Sequence, residues 1–263
     1  MTRFITVVSG KGGVGKTSTA INLGAALSYF GKDVIVVDAN LTTPNVGLHL
    51  GVPVVPVNLH DVLQGKNKIH DAMYIHPSGT KIVPASISVK DLKKTDALRL
   101  PFNVRKLDGS ADFVIIDGAA GLGNEALGAI HSCDNLLIVT NPELPAITDA
   151  LKAVKVADEI GKDVLGVVLT KSAECERDVS VSNIETLLEK PVISVIPFDS
   201  SMREALVMKD AVVFTHPKSP AAVAYKKLAA MLIGREYKEP EKEKARKGLL
   251  SRIFFFARKK NKN

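Results

Sequence analysis

A glycine-rich loop near the start of the chain has the residue types and spacing that bind phosphate groups. Residues 9–17 read SGKGGVGKT, which fits the pattern G-x4-G-K-[ST]. Glycines let backbone N–H groups converge on phosphate oxygens, the lysine before the threonine reaches the β- and γ-phosphates, and the threonine hydroxyl is a ligand for Mg²⁺. The loop therefore predicts a site for a nucleotide with Mg²⁺. The residues expected to contact the nucleotide here are Gly10, Lys11, Gly12, Gly13, Val14, Gly15, Lys16, Thr17 and Ser18.

Two aspartates that each close a short apolar run are candidates for the metal. Asp38 ends the run VIVVD, and Asp117 ends the run FVIID. The carboxyl ends of neighbouring parallel strands meet at one edge of a sheet, where ligands bind. Mg²⁺ prefers oxygen ligands, and carboxylates supply them. We therefore expect Thr17, Asp38 and Asp117 to hold Mg²⁺.

The elements that position these groups are predicted from alternating apolar runs and helical periods. The runs are β-branched and nearly continuous, which is typical of strands covered on both sheet faces. Alternating strands and helices predict a single α/β domain, with a mostly parallel, twisted sheet and helices on both faces. The predicted strands are residues 4–8, 34–37, 81–83, 113–116, 136–139, 164–169 and 192–196. The predicted helices are residues 17–30, 125–129, 146–160, 180–189 and 221–232.

The composition fits one globular domain, which we place at residues 1–234. The chain has 263 residues, 46% of them hydrophobic and 24% charged, and this is an ordinary balance for a folded domain. Its two cysteines, Cys133 and Cys175, form no CxxC pair and are expected to be reduced thiols in a cytosolic protein. No apolar run approaches the roughly 18 residues of a membrane span, and no signal segment precedes the first strand.

An additional lysine in the loop, Lys11, points to a known family. The stretch KGGVGKT resembles the deviant phosphate-binding motif of the MinD/ParA family of P-loop ATPases. The resemblance covers nearly the whole chain, including residues 38–50 (switch I) and 117–121 (switch II). It implies ATP and Mg²⁺ as cofactors, and a homodimer with ATP sandwiched between the subunits. In such a dimer Lys11 reaches the partner's nucleotide, and this second cation acts like an arginine finger.

The catalytic residues that the resemblance implies include one departure from the family pattern. They are Lys11, Lys16, Asp38 and the residue at position 40. Family members usually have a second aspartate in switch I, whereas this chain has Asn40. An amide can position a water molecule but cannot accept its proton. We therefore expect ATP binding with slow hydrolysis. Gly123 also stands where an acidic residue is expected, for no reason visible in the sequence.

The adenine site is predicted from the resemblance. Family members often have an asparagine that binds adenine after the strand at 164–169, whereas this chain has Thr170 followed by Lys171. A later stretch, VIPFDSSMREA, resembles the family loop beside the base. The residues expected around the base are Thr170, Lys171, Pro197, Phe198 and Asp199.

The C-terminal residues carry the excess positive charge of the chain. The formal net charge is +7, and residues 244–263 hold eight basic residues with no acidic one. Residues 235–247 are predicted to be a charged linker. Residues 248–263 are predicted to form a basic amphipathic helix, which suits an anionic membrane interface. MinD proteins end in a similar helix, whereas ParA proteins generally lack it.

The leading interpretation is a MinD-like ATPase of the archaeal type. ATP-dependent dimerisation would control its membrane association, and it would position other complexes, at the division site or in motility or chemosensory machinery. It would be cytoplasmic and peripheral on the inner face of the cell membrane, with its protein cargo or activator unknown. Two alternatives stay open: a ParA-like ATPase that partitions DNA, and an ATP-binding scaffold that does not hydrolyse. Nucleic acid is disfavoured as a partner because three consecutive phenylalanines suit lipid better. Iron–sulfur carriers that share the loop need paired cysteines, which are absent.

Overall fold

A single eight-stranded sheet forms the centre of the molecule in the computed structural model, which describes residues 1–92, 95–172 and 178–239. The strands are β1 (Arg3–Ser9), β2 (Val34–Asp38), β3 (Tyr74–Ile75), β4 (Lys81–Val83), β5 (Phe113–Ala120), β6 (Asn135–Thr140), β7 (Asp163–Ser172) and β8 (Val192–Pro197). Their order across the sheet is β3-β4-β2-β5-β1-β6-β7-β8. All neighbouring pairs are parallel except β3 and β4, which are antiparallel.

Helices connect the strands and cover both faces of the sheet. They are α1 (Lys16–Tyr29), α2 (Val46–His49), α3 (Leu59–Leu63), α4 (Val89–Leu92), α5 (Leu100–Val104), α6 (Asn124–His131), α7 (Leu144–Glu159), α8 (Val181–Leu188), α9 (Ser201–Val207), α10 (Val212–Thr215) and α11 (Pro220–Leu232). Short 3₁₀ helices lie at Ile69–Ala72, Ala97–Arg99 and Arg105–Leu107. No helix of the described residues is long and apolar enough to cross a membrane.

Side chains that alternate along each strand divide the hydrophobic core into two layers. In β1, Phe4 and Val8 contribute to one layer, and Ile5 and Val7 contribute to the other. Residues of α3, α5, α6, α7 and α8 complete the first layer, whereas residues of α1, α9, α10 and α11 complete the second. This two-sided burial explains why the strands read as continuous apolar runs. The predicted single α/β domain is therefore confirmed.

The seven predicted strands and five predicted helices are all present, but several short elements were not predicted. Strand β3 has only two residues, and the adjoining turn at 76–80 reads HPSGT. Strands of this length show no period that could be read from the sequence. Helices α2, α3, α9 and α10 have four to seven residues, so they also give too little periodicity to be recognised.

The expected boundary at residue 234 falls just after the last described helix. Residues 235–239 are not helical, and the predicted linker that begins there stays a prediction. The rest of the predicted linker and the predicted amphipathic helix at 248–263 lie outside the described residues.

Candidate functional site

The glycine-rich loop connects β1 to α1 and is held close to α7. Gly13 and Gly15 have φ angles of 78° and 92°, in the region that favours glycine. A Cβ atom on Gly10 would lie 2.0 Å from the backbone carbonyl oxygen of Asp149 in α7. Only glycine at position 10 permits this approach, so α7 fixes the height of the loop above the sheet.

Replacing Gly10 by alanine is expected to destabilise the protein by about 1–3 kcal/mol, because the loop and α7 must separate to admit the methyl group. Urea unfolding without nucleotide measures this difference. Gly12→Ala is the matched control, since a Cβ there meets nothing within 4 Å and its φ is not in the left-handed region. Equal losses of stability in the two variants would contradict the packing explanation.

Lys16, Thr17 and Asp117 form a connected polar cluster at the start of α1. Lys16 Nζ lies 3.1 Å from Asp117 Oδ1, and the Thr17 hydroxyl donates to Asp117 Oδ2 at 2.6 Å. The Lys16 side chain is 8% exposed and that of Asp117 is fully buried. In this environment an ion pair is much less screened than at the surface. Lys16 and Thr17 thus present a cation and a hydroxyl directly beside a buried carboxylate, while their predicted contacts with phosphate and Mg²⁺ stay predictions.

Asp38 lies directly opposite Asp117 on the neighbouring strand of the sheet. The two residues are paired in the β2–β5 register, and both are fully buried. Asp38 Oδ2 accepts hydrogen bonds from the backbone N–H groups of Asn45 and Val46, each at 2.9 Å. Burial, together with the nearby charge of Asp117, raises the pKa of Asp38 from 3.8 to about 8. A cation placed between the two carboxylates would remove this penalty.

The donor set of this cluster fits Mg²⁺. Thr17, Asp38 and Asp117 offer only oxygen atoms, and the register of β2 and β5 places the two aspartates side by side. The described residues include no group of three or more His, Cys, Asp or Glu side chains that could hold a metal ion. The ligand set of Mg²⁺ would therefore have to be completed by the Thr17 hydroxyl, water and nucleotide phosphates, as is usual for this ion.

Lys11 lies at the mouth of a cavity of about 350 Å³ above the loop. Gly12, Gly13, Lys16, Thr17 and Ser18 also line this cavity. Lys11 is exposed, and its ammonium group forms no hydrogen bond or ion pair with any of the residues that the structure describes. The backbone of Lys11 is nevertheless fixed, because its carbonyl accepts a hydrogen bond from Ser9 Oγ at 2.9 Å. Its charge is available to a ligand or to a second protein molecule.

Asn40 holds the switch I loop through both ends of its amide. Its Nδ2 donates to the carbonyl of Thr43 at 2.7 Å, while its Oδ1 accepts from the Thr43 hydroxyl at 3.1 Å and backbone N–H at 3.3 Å. A carboxylate cannot make the first of these bonds, because it has no hydrogen to donate. The unusual amide thus matches the local structure of this loop. Asn40 also lines the cavity above the glycine-rich loop, and its predicted role in orienting water stays a prediction.

Thr170 and Lys171, near the end of β7, both contact the glycine-rich loop. The Thr170 hydroxyl contacts the carbonyl of Val14, and its oxygen lies 2.9 Å from Asn141 Oδ1. Lys171 Nζ donates to the carbonyl of Gly13 at 2.6 Å. The structure thus gives both residues contacts with the loop itself, while the hydroxyl oxygen of Thr170 keeps lone pairs for another donor. Their predicted contact with adenine stays a prediction.

The remaining residues of the predicted adenine site border a second cavity of about 420 Å³, which Thr170 and Lys171 share. Pro197 and Phe198 line it, and Phe198 is 71% exposed. Asp199 anchors the loop, since its carboxylate accepts from the backbone N–H groups of Ser201 at 2.9 Å and Ala221 at 3.0 Å. Burial alone would raise the pKa of Asp199, but these hydrogen bonds outweigh it and lower the pKa. The open apolar wall suits a flat aromatic ring.

Three features of the site were not predicted from the sequence. The backbone N–H groups of Asn45 and Val46 contact Asp38, Tyr225 of α11 lines the second cavity, and Glu125 of α6 contacts switch I. Backbone donors carry no residue signature, and the tyrosine is far away in sequence. Glu125 lies in the first turn of a predicted helix, but that position alone indicates only a helix terminus.

This fold and this site define a P-loop nucleotide-binding protein. A glycine-rich loop joins a central parallel strand to a helix. Beside it lie two paired aspartates, Asp38 at the end of β2 and Asp117 within β5. Residues 1–233 match the ParA family, described as NUBPL iron-transfer P-loop NTPases. The chain belongs to this ParA/MinD family of P-loop NTPases, as the sequence motifs predict.

Individual relatives agree with this assignment. An ATP-binding protein of Methanocaldococcus jannaschii, described as uncharacterised, is 40% identical over 240 residues, covering 91% of each chain. The septum site-determining protein MinD of Synechocystis is 31% identical over 261 residues, covering 96% of this chain and 97% of that protein. The solved structure of MinD from Pyrococcus horikoshii with Mg-ADP has a TM-score of 0.85 and 38% identity, covering 88% of this chain and 96% of that one.

Proposed function

We propose that the protein is a MinD-type ATPase in which ATP and Mg²⁺ join two subunits, and that the dimer binds the membrane and positions other proteins. Lys16 and the loop N–H groups would bind the phosphates, while Thr17, Asp38 and Asp117 would hold Mg²⁺. The ion would neutralise charge on the transferred phosphoryl group. Asn40 would orient the attacking water, and Thr170, Lys171, Pro197, Phe198 and Asp199 would surround adenine.

The exposed, unengaged ammonium group of Lys11 carries the dimer proposal. It lies at the rim of the phosphate cavity, whereas Lys16 already supplies the inner cation. A second subunit facing this cavity would place another lysine against the same phosphates. Charge stabilisation from a cation supplied in trans is an established device in phosphoryl transfer.

Contacts at the far end of α1 support a role for dimerisation in membrane binding. The Tyr237 ring packs edge-on against Phe30 and Tyr29, with ring centroids 5.9 and 6.5 Å apart, and Glu239 pairs with Lys227 at 2.6 Å. The loop lies at the other end of α1, about 21 Å away for fourteen residues at a rise of 1.5 Å each. Because the last described residues, 235–239, lie so far from the glycine-rich loop, we infer that ATP acts on residues 248–263 through dimerisation. Two weak membrane anchors on one dimer bind far more tightly than a single anchor.

The relatives also support a shared C-terminal segment. An alignment that covers 96% of this chain has to extend past residue 247 wherever it starts, and the alignment with MinD of Synechocystis has that coverage.

A similar solved structure contains a protein partner. It is a MinC:MinD complex from Aquifex aeolicus, in which the matched chain is 26% identical with a TM-score of 0.80, and the match covers 91% of this chain and 98% of that one. A protein partner is therefore part of the proposal, with its identity left to experiment.

Flotation with anionic liposomes tests this function. ATP with Mg²⁺ is expected to increase the bound fraction of the 263-residue protein about tenfold or more, because avidity adds to each weak anchor. Lys11→Ala should abolish the ATP-dependent increase and leave the protein monomeric by light scattering. A chain ending at residue 247 should bind no liposomes while still dimerising with ATP.

Matched controls separate these effects. Lys68→Ala removes an exposed lysine far from the cavity in sequence and should behave like the wild type. Neutral liposomes should bind poorly, because the proposed anchor relies on anionic lipid. If the chain that ends at residue 247 still bound liposomes, the membrane proposal would be wrong. ATP-dependent dimerisation of Lys11→Ala would contradict the proposed contact between Lys11 and the nucleotide of the second subunit.

A non-hydrolysing, ATP-binding scaffold is the second candidate function, and the contacts of Asn40 favour it. The amide is committed to holding Thr43, and no carboxylate occupies position 40 to accept a proton. Phosphoryl transfer depends mainly on positioning and charge neutralisation, so we retain slow hydrolysis as the first proposal. Single-turnover measurements with radiolabelled ATP and excess protein distinguish the two candidates.

A further inference from the structure

A bidentate contact joins switch I to the helix that follows switch II. Glu125 Oε2 accepts a hydrogen bond from the backbone N–H of Thr42 at 3.1 Å, and its Oε1 accepts from the Thr42 hydroxyl. We propose that Glu125 is a positioning residue for ATP hydrolysis, which holds the Asn40 amide in place through Thr42. This inference rests on the proposed ATPase function and names a residue that controls its rate.

The position of the contact relative to the phosphates supports this role. Glu125, Thr42 and Asn40 line a cavity of about 410 Å³. This cavity shares Asn40, Thr43 and Ala120 with the cavity that contains the glycine-rich loop, so the two spaces adjoin at Asn40. The Glu125 contact therefore lines the space that adjoins, at Asn40, the cavity above the glycine-rich loop.

The hydrogen bonds within switch I explain how a contact at Thr42 affects Asn40. Asn40 and Thr43 are joined by three hydrogen bonds, and these close a tight loop with Thr42 inside it. Asn45, just beyond the loop, is fixed by the hydrogen bond from its N–H to Asp38. Thr42 is thus the point where this loop is attached to α6. Loss of that attachment would free Asn40 to move relative to the phosphates.

The charge and location of Glu125 suit the bidentate contact between Glu125 and Thr42, which we call the clasp. It lies in the first turn of α6, where a negative side chain is stabilised by the helix dipole. A carboxylate has two oxygens and can accept both Thr42 bonds at once. Since one end of the contact is Thr42 in switch I and the other is Glu125 in the helix that follows switch II, the contact can connect changes at the two switches.

Replacement of Glu125 by alanine is expected to lower kcat about 10- to 100-fold while the Kd for ATP changes less than threefold. A misplacement of about 1 Å can cost 10²-fold in rate, whereas the phosphate-binding groups are untouched. Glu125→Gln should stay within about threefold of the wild-type kcat. Its amide can accept from the Thr42 N–H and donate to the Thr42 hydroxyl. A glutamine variant as slow as the alanine variant would instead make the carboxylate a proton acceptor and overturn the positioning role.

Thr42→Val gives an independent arm of the test. It removes the hydroxyl half of the clasp, so we expect a smaller loss of kcat than in Glu125→Ala. Combined with Glu125→Ala it should add nothing further, because both changes break one contact. Glu159→Ala, which removes an exposed glutamate at the end of α7, is the matched control with wild-type kcat. Additive losses in the double variant would refute the clasp.

Amide exchange tests the contact without any hydrolysis. In ¹⁵N-labelled, nucleotide-free protein, exchange of the Thr42 N–H should accelerate about tenfold or more in Glu125→Ala, because this N–H loses its acceptor. Glu125→Gln should preserve protection. Unchanged exchange in the alanine variant would overturn the inference. If the wild-type protein binds ATP but does not hydrolyse it, the ATPase proposal is wrong. The contact between Glu125 and Thr42 is then tested by the amide-exchange measurement alone.

Discussion

Replacement of Lys16 by methionine is expected to lower ATP turnover by about 10²–10³-fold or more, the loss typical when one strong transition-state donor is removed. The same change leaves Asp117 buried without its cation, since Lys16 Nζ lies 3.1 Å from Asp117 Oδ1. Breaking a buried ion pair on one side costs about 3–5 kcal/mol. Lys16→Met should therefore lose both activity and stability, measured by steady-state ATPase assays and urea unfolding.

A double variant separates these two consequences. In Lys16→Met with Asp117→Asn, the uncompensated buried charge is absent, so most of the lost stability should return while turnover stays abolished. Lys218→Met, at an exposed lysine, is the control and should match the wild type in both measurements. If the double variant were no more stable than Lys16→Met alone, the buried-charge explanation would fail.

Asp38 is expected to make the nucleotide-free protein less stable as the pH rises from about 4 to about 8. Its pKa in the folded protein is raised to about 8 from 3.8, so the folded protein keeps a proton that the unfolded chain releases. Each unit of difference corresponds to about 1.4 kcal/mol, which gives an effect of several kcal/mol across this range as an order of magnitude. Asp38→Asn should flatten this dependence and unfold at higher urea concentration than the wild type at pH 8.

The predicted role of Asp38 as a Mg²⁺ ligand requires the deprotonated carboxylate, which is the form that lowers the stability of the nucleotide-free protein. Mg²⁺ with ADP should restore wild-type stability at pH 8, because a metal ion favours the deprotonated carboxylate, whereas Asp38→Asn should gain little. Asp163→Asn, at an exposed aspartate, should keep the wild-type pH dependence. Urea unfolding at pH 5, 6.5 and 8 measures all three proteins. Parallel curves for the wild type and Asp38→Asn would contradict the prediction.

The loop and the two aspartates were predictable because their signals are local. The glycine-rich motif identifies a loop between a strand and a helix, and Asp38 and Asp117 each close an apolar run. Parallel strands place their carboxyl ends at one edge, so the residue after each run comes near the loop. The structure gives a more specific result, the direct pairing of the two aspartates on β2 and β5. That pairing depends on the strand order, which no local pattern contains.

For Asn40, the residue type alone indicates what the side chain cannot do, and the structure shows what it does. From the sequence, Asn40 is a substitution that removes a proton acceptor and predicts slow hydrolysis. The structure adds a positive role, the hydrogen bond that its amide donates to Thr43. The rate of hydrolysis stays a prediction, but the local reason for an amide at this position is clear. Hydrogen bonds within a four-residue loop follow from its backbone path, which turn residues indicate only approximately.

The sequence by itself determined the fold class, the family and the glycine-rich loop, and it supplied the residue types of the predicted metal site. These follow from contiguous motifs and from apolar periods, which act over a few neighbouring residues. Only the tertiary structure decided the strand order, the burial that raises the pKa of Asp38, and the contact between Thr42 and Glu125, which are 83 residues apart in the chain. Such contacts depend on which strands become neighbours and on the path of the loops that connect them. Two side chains that are distant in the sequence show no periodicity or spacing that would predict their contact.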